Sequence, residues 1–317
     1  MAALPIVVTG AAGFVGSHLV DRLLADEATV VGVDCFTDYY DPALKRRNLE
    51  GPLRHPRFRL LELDLGTADL ATLPQARAVF HLAAQAGVRA SWGAEFATYV
   101  HHNVLGTQRL LERYRNGGLE RFVYASSSSV YGDAERYPTH ELLLPRPFSP
   151  YGVTKLAGEH LVLLYGRNFG IPVVSLRYFT VYGPRQRPDM AFHRFSRALL
   201  GGEPIAVYGD GRQTRDFTFV ADAVEATVRA WRRSAPQGVY NVGGGSQVEV
   251  LEAIRILERG LGVEAKIRFE PRPPGDPLRT CADTARVRAD LDFLPAVGIE
   301  QGLREEAEWA RGIYART

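Results

Sequence analysis

The chain of 317 residues is poor in cysteine, with only Cys35 and Cys281. Two cysteines cannot form a disulfide framework for a chain this long, and neither stands in a CxxC or metal-ligand spacing. Both read as reduced bystanders, and no metal is expected. Lysine is scarce as well, at Lys45, Lys155 and Lys266 alone, the basic side being nearly all arginine. A lysine inside a motif therefore stands out. Neither sign of charge is in surplus: 38 Lys+Arg against 36 Asp+Glu leave a formal charge of +2, with the basic residues scattered. Nucleic acid is not an expected partner. No apolar run reaches the roughly 20 residues that cross a bilayer, so no membrane partner is expected. The opening MAALPIVVTGAAGFVG has no basic segment ahead of an apolar stretch. No signal peptide is expected, and the cytoplasm is the expected compartment.

What is present is alternation. PIVVTG, Phe14 to Ala25, ATVVGVD, FRLLELD, AVFHLAA, Tyr99 to Arg115 and RFVYASS alternate β-branched runs with helical stretches, the pattern of parallel strands joined by crossovers. The expected fold is α/β, a doubly wound (Rossmann-type) parallel sheet with its ligand crevice at the strand C-termini. A helix from Ser149-Pro150-Tyr151 to about Asn168 and a strand IPVVSLRYF follow. From about Thr180 the pattern loosens into a helix near His193 to Leu200, a short AVYGDG segment, proline-rich EPRPPGDPLR and a closing helix from about Glu300. We read residues 1–176 as a dinucleotide-binding domain and 177–317 as a smaller C-terminal α/β substrate-binding lobe. Helix Val220 to Arg233 and strand VYNVG are read as segments packing back on the main sheet. There is no internal repeat.

Gly10, Gly13 and Gly16 follow strand Ile6 to Thr9 directly and open a helix, in GxxGxxG spacing. That context gives the pattern its meaning: a tight turn at Gly10, close approach of a pyrophosphate at Gly13, close helix–strand packing at Gly16, and free N–H donors at the helix start. Asp34 ends the second strand, 18 positions after Gly16, where a carboxylate accepts from both ribose hydroxyls and repels a 2′-phosphate. NAD is the expected cofactor. Asp64, closing FRLLELD, reads as an adenine-edge acceptor or as a turn residue.

Tyr151 and Lys155 lie at i and i+4 on one helix face, so their tips can share a substrate. A phenol near pKa 10 is a poor base at neutral pH, and a neighbouring ammonium together with a positive nicotinamide would favour the phenolate. RFVYASSSSVYGD brings Ser126 to Ser129 to the crevice at the fifth strand end. Of these, Ser127 is read as the hydroxyl that meets the sugar oxygen and relays a proton with Tyr151.

The segments TGAAGFVG, HLAAQAGVRAS, YASSSSVYGD, SPYGVTK, RYFTVYGPRQRPDMAF and GDGRQTRDFTFVAD span nearly the whole chain. Together they resemble the extended short-chain dehydrogenase/reductases acting on nucleotide sugars, most of all the UDP-glucuronate 4-epimerases and next the UDP-glucose 4-epimerases. The resemblance implies a catalytic Ser127, Tyr151 and Lys155, and cofactor contacts from Gly10, Gly13, Phe14, Val15, Gly16, Asp34, Asp64, Leu65, Lys155 and Tyr178. It also implies a homodimer through about Trp92 to Arg115 and Tyr151 to Asn168. Where related 4,6-dehydratases carry Asp-Glu and decarboxylases a Glu, this chain has Ser128 and Ser129, so elimination and decarboxylation are not expected. Thr180 stands where glucose/galactose epimerases typically have Asn. Hydroxyls of Ser127, Ser128, Ser129 and Thr180 are expected to hold a C5 carboxylate.

For the UDP diphosphate the resemblance points to Arg215, whose guanidinium suits phosphate. Arg185, Asp276 and Arg279 are further substrate candidates, Arg279 alternatively being a surface pair. Arg89 reads as a contact to diphosphate or carboxylate, or as a structural pair. The implied reaction is C4 epimerisation of a UDP-sugar, UDP-glucuronate to UDP-galacturonate, through a 4-keto intermediate. The alternatives are a UDP-glucose 4-epimerase, a net NAD(P)H-dependent reductase and a non-catalytic nucleotide-binding protein.

Overall fold

The computed structural model describes residues 4–235, 237–245, 247–272, 275 and 277–314. Its strands are, in chain order, β1 (Ile6–Thr9), β2 (Val30–Asp34), β3 (Phe58–Glu62), β4 (Ala78–His81), β5 (Arg121–Ser127), β6 (Val173–Tyr178), β7 (Val181–Tyr182), β8 (Ile205–Tyr208), β9 (Thr214–Asp216), β10 (Thr218–Phe219), β11 (Gln237–Val242), β12 (Gln247–Glu249) and β13 (Ile267–Glu270). Seven of them form one parallel sheet in the order β11-β6-β5-β4-β1-β2-β3. Every residue of β1, β2 and β4 is buried, which is why these strands read as unbroken apolar runs.

The order reverses between β1 and β4, so the crevice opens at their C-terminal ends, where Thr9 is in register with both Val33 and His81. Helices Phe14–Ala25 and Val220–Arg233 cover one face, burying Leu19, Leu23, Val228 and Trp231 against Val8, Phe80 and Leu176. Gly106–Tyr114 and Pro150–Phe169 cover the other. The expected helix Tyr99 to Arg115 is a composite: one α turn (Phe96–Tyr99), a π segment (Val100–Leu105), then the α-helix.

The remaining strands pair two by two, β7 with β10, β8 with β13 and β9 with β12. Around them helices Ala191–Gly201, Val250–Leu261 and Ile299–Tyr314 enclose a second core that includes Phe192, Phe217, Phe219, Leu257 and Leu303. Phe14, the first residue of the glycine-loop helix, is buried in this second core. A boundary at 176 falls inside β6, and β11 together with helix Val220–Arg233 belongs to the main sheet.

Candidate active site

A cavity of about 630 Å³ runs along the crevice between the sheet and the smaller lobe. At one end lies the loop after β1. Gly10 has φ +70, and a Cβ on Gly16 would fall 2.0 Å from the Gly10 carbonyl oxygen. Only glycine permits this turn, and it leaves the first amides of helix Phe14–Ala25 without side-chain caps at the cavity wall. Asp34, at the end of β2, accepts from Ala12 N (3.1 Å) and Phe36 N (2.9 Å). Gly10, Gly13, Phe14, Val15, Gly16, Asp34 and Leu65 all line this end, and Tyr178 lines the middle. Asp64 does not belong to the lining: its Oδ1 accepts from Gly66 N (2.7 Å) and its Oδ2 meets His101 Nε2 (2.9 Å).

At the other end Ser127 ends β5, Ser128 and Ser129 follow it, and Tyr151 and Lys155 come from helix Pro150–Phe169. That helix starts where it does because Ser149 caps it, accepting from Gly152 N at 3.1 Å, with Pro150 in the first turn. The Ser127 hydroxyl accepts from Ser129 N at 3.1 Å and is near enough to the Tyr151 phenol to lower its pKa. Tyr99 meets Tyr151 edge-on, ring centroids 6.3 Å apart. Lys155 is 3% exposed, with Nζ 4.5 Å from the Tyr124 ring centroid.

The electrostatics differ from the expected ammonium-lowered phenol. Burial pushes the Tyr151 phenol up, against the lowering effects of the Arg187 guanidinium and the Ser127 hydroxyl. Burial also pushes Lys155 down to about 7, with the Glu159 carboxylate opposing it. The Arg187 guanidinium thus lowers the Tyr151 phenol, and a phenolate at neutral pH calls for additional positive charge.

Arg187 lies in YGPRQRPD beside Arg185, and the two arginines part company. Arg187 lines the cavity and holds Asp189 through Nε and Nη2 at 3.0 Å each, and Tyr39 donates to the same carboxylate at 3.4 Å. Arg185, at φ +66, turns away to Asp21 (2.7 Å) and lines a separate cavity with Trp309. Arg279 is likewise outside the main cavity: its Nε donates to Gln247 (2.7 Å) and its guanidinium lies 5.0 Å from the Tyr137 ring centroid. Asp276 lies outside the described residues. Thr180, Arg89 and Arg215 do line the cavity. Arg89 stacks on Tyr208 at 4.1 Å, and Arg194, which the sequence reading missed, approaches the same ring at 5.6 Å. Arg187, Asp189, Tyr39 and Tyr208 were missed too. Nothing in the string PRQRP says which arginine faces inward; the reversal comes from the positive φ at Arg185.

Comparison with known proteins is consistent along the whole chain. A sequence model described as the NAD dependent epimerase/dehydratase family matches residues 6–243. The structure is similar to a UDP-glucuronic acid 4-epimerase from Bacillus cereus, solved with UDP-glucuronic acid and NAD, at 44% identity over 98% of this chain and 100% of that one, TM-score 0.95. It is also similar to a UDP-glucose 4-epimerase from Thermotoga maritima, solved with UDP-glucose, at 31% identity over 98% and 99%, TM-score 0.90. A UDP-glucuronate 4-epimerase of Thermodesulfobacterium geofontis is 37% identical over 313 residues, 96% of this chain and 95% of that protein.

Proposed function

The chain belongs to the NAD dependent epimerase/dehydratase family, and from that membership we propose that it interconverts UDP-glucuronate and UDP-galacturonate. It is an NAD-dependent UDP-sugar 4-epimerase. The observation that carries glucuronate is the seat beside Tyr151. Arg187 spends Nε and Nη2 on Asp189, while its Nη1 makes no hydrogen bond among the described residues. That leaves donors for a second carboxylate next to the hydroxyls of Ser127, Ser128, Ser129 and Thr180.

NAD fits the glycine turn, where Gly10, Gly13 and Gly16 line the cavity and the helix start has no side-chain cap on its amides. Helix amides, Asp34, Leu65 and Tyr178 are the residues proposed to hold it, with Lys155 on the nicotinamide ribose. When bound, NAD supplies the reversible redox chemistry that carries C4 through a 4-keto sugar. Tyr151 takes the C4 hydroxyl proton and returns it, and Ser127 donates to the sugar oxygen and steadies the phenol. The intermediate of glucuronate is a β-keto acid, so the carboxylate must be held with its C–C bond poorly aligned for loss of carbon dioxide. Arg187 and the hydroxyl row are proposed to do this. Arg89, Arg194 and Arg215, with Tyr208, are proposed to receive the uridine diphosphate.

The reading extends to a cytoplasmic homodimer. Among the described residues no helix is long and apolar enough to cross a membrane. Trp92, Phe96, Val100 and Leu105, with Val153, Leu164 and Phe169, are exposed apolar side chains on or beside the two helices proposed to pair.

Incubating the purified protein separately with UDP-glucuronate and UDP-glucose, without added cofactor, and following products by NMR tests the sugar. Conversion of the acid to UDP-galacturonate without carbon dioxide is expected. Conversion of UDP-glucose alone, the reaction named for the Thermotoga relative, would replace glucuronate with glucose in this reading.

A further inference from the structure

Beside Leu65, Asp64 and His101, themselves outside the main cavity's lining, meet a third ligating group, His102, which lines the cavity. One ligand atom from each of Asp64, His101 and His102 lies within 4.8 Å of the other two. The Asp64–His101 contact is an ordinary hydrogen bond at 2.9 Å. His102 is different. Its Nδ1 stands 3.9 Å from the other Asp64 oxygen, too far for a hydrogen bond, and its imidazole makes none among the described residues. Burial lowers its basicity, with Asp64 opposing.

His101 and His102 sit in the π segment Val100–Leu105, and their rings meet edge-on with centroids 4.8 Å apart. Such π turns often mark functional positions. His101 is fixed from below as well, since a Cβ on Gly66 would fall 2.3 Å from its Nε2. The carboxylate is anchored by Gly66 N at 2.7 Å.

We propose that Asp64, His101 and His102 bind one zinc-class divalent ion, with a fourth position left to water. Two imidazoles and a carboxylate are a borderline donor set suited to Zn²⁺ rather than to Mg²⁺ or Ca²⁺, which prefer oxygen. Ligand bonds of about 2.0–2.2 Å in a tetrahedron separate donor atoms by about 3.4 Å; Asp64 Oδ2 stands 2.9 Å from His101, Oδ1 3.9 Å from His102, and one donor from each residue lies within 4.8 Å of the others, so side-chain rotation closes the set on an ion. Lys45, tied to the Thr37 carbonyl and hydroxyl at 3.0 Å each, is in electrostatic reach of His102 and moderates the affinity. The ion would compete for the carboxylate that the cofactor reading gives to the adenine edge. Nucleotide-free protein is therefore expected to bind it more tightly than protein as purified.

Co²⁺ titration, followed by visible absorption, tests the site on protein as purified and after charcoal removal of nucleotide. One saturable equivalent, displaced by Zn²⁺ and weakened at least about tenfold in both His101→Gln and His102→Gln, is expected; tenfold is the order lost with a single supporting contact at a metal site. Absence of saturable bands in both protein forms, or wild-type affinity in both variants, overturns the proposal. Should a variant fail to fold, Zn²⁺ protection of His101 and His102 from diethyl pyrocarbonate in the wild-type chain decides: protection is expected, and modification of both at an undiminished rate overturns it.

Discussion

Arg177 donates from Nε to Oε2 of Glu159 at 3.1 Å, in a pair whose side chains are 5% and 1% exposed. Ser126 closes on the same carboxylate oxygen at 2.6 Å. Glu159 stands one helical turn beyond Lys155 and is the group opposing burial's effect on that ammonium. The pair therefore connects β6 to the chemistry of the helix.

Replacing Glu159 with Gln should move Lys155 further down from about 7, because the carboxylate is what raises it. Wherever the charged ammonium is needed, activity is lost as pH rises through the lysine's pKa, so the alkaline limb of the kcat profile should shift acidward. Stability should drop by up to about 3–5 kcal/mol, the cost of leaving Arg177 buried without its partner. A pH–rate profile and denaturant titration read the two effects separately. An unchanged profile with lowered stability would make Glu159 purely structural.

Tyr151→Phe removes the proton carrier and little else. The expected fall in kcat is about 10²–10⁴-fold, with the protein still retaining NAD. NMR turnover and the cofactor content of the purified variant check both halves.

Thr180→Ala should narrow the preference for UDP-glucuronate over UDP-glucose. A charge-assisted hydrogen bond of about 1.5–3 kcal/mol corresponds to roughly 10- to 150-fold in kcat/KM ratio. Equal loss on both sugars would place Thr180 on a part of the substrate they share.

Glu306 is fully buried in helix Ile299–Tyr314, facing the Gly183 amide, and neither carboxyl oxygen has a hydrogen bond of normal geometry. Burial holds its pKa well above the ordinary carboxylate value. The folded state then binds more protons than the unfolded state, so stability is highest below the unfolded pKa and declines as pH rises towards the folded one. Glu306→Gln should remove this decline, raising Tm at pH 8 more than at pH 5. Thermal melts at the two pH values test it.

The sheet was legible because strands buried on both faces leave unbroken β-branched runs, and because Gly10, Gly16 and Asp34 sit at fixed distances from strand ends. The helix carrying Tyr151 was legible from its Ser-Pro start and runs Pro150–Phe169. The substrate end was harder. Arg185 and Arg187 are indistinguishable as letters, and the backbone turn at Arg185 sends one to Asp21 and the other to the cavity. Arg194 and Tyr208 come from separate elements of the smaller lobe and meet only through its packing. The π segment was invisible for the same reason: helical periodicity predicts an α-helix, and the extra residue per turn is decided by tertiary contacts.

Strand β11 joins the sheet beside β6 only after the chain has left for the smaller lobe and returned. During synthesis, the outer edge of β6 therefore stays open until residue 242 has emerged from the ribosome, although Ser127, Tyr151 and Lys155 were made long before. A gene divided at codon 176 would cut through β6 and strand its neighbour on the other fragment. Two such halves should be inert apart, and any activity they regain should require both in one cell.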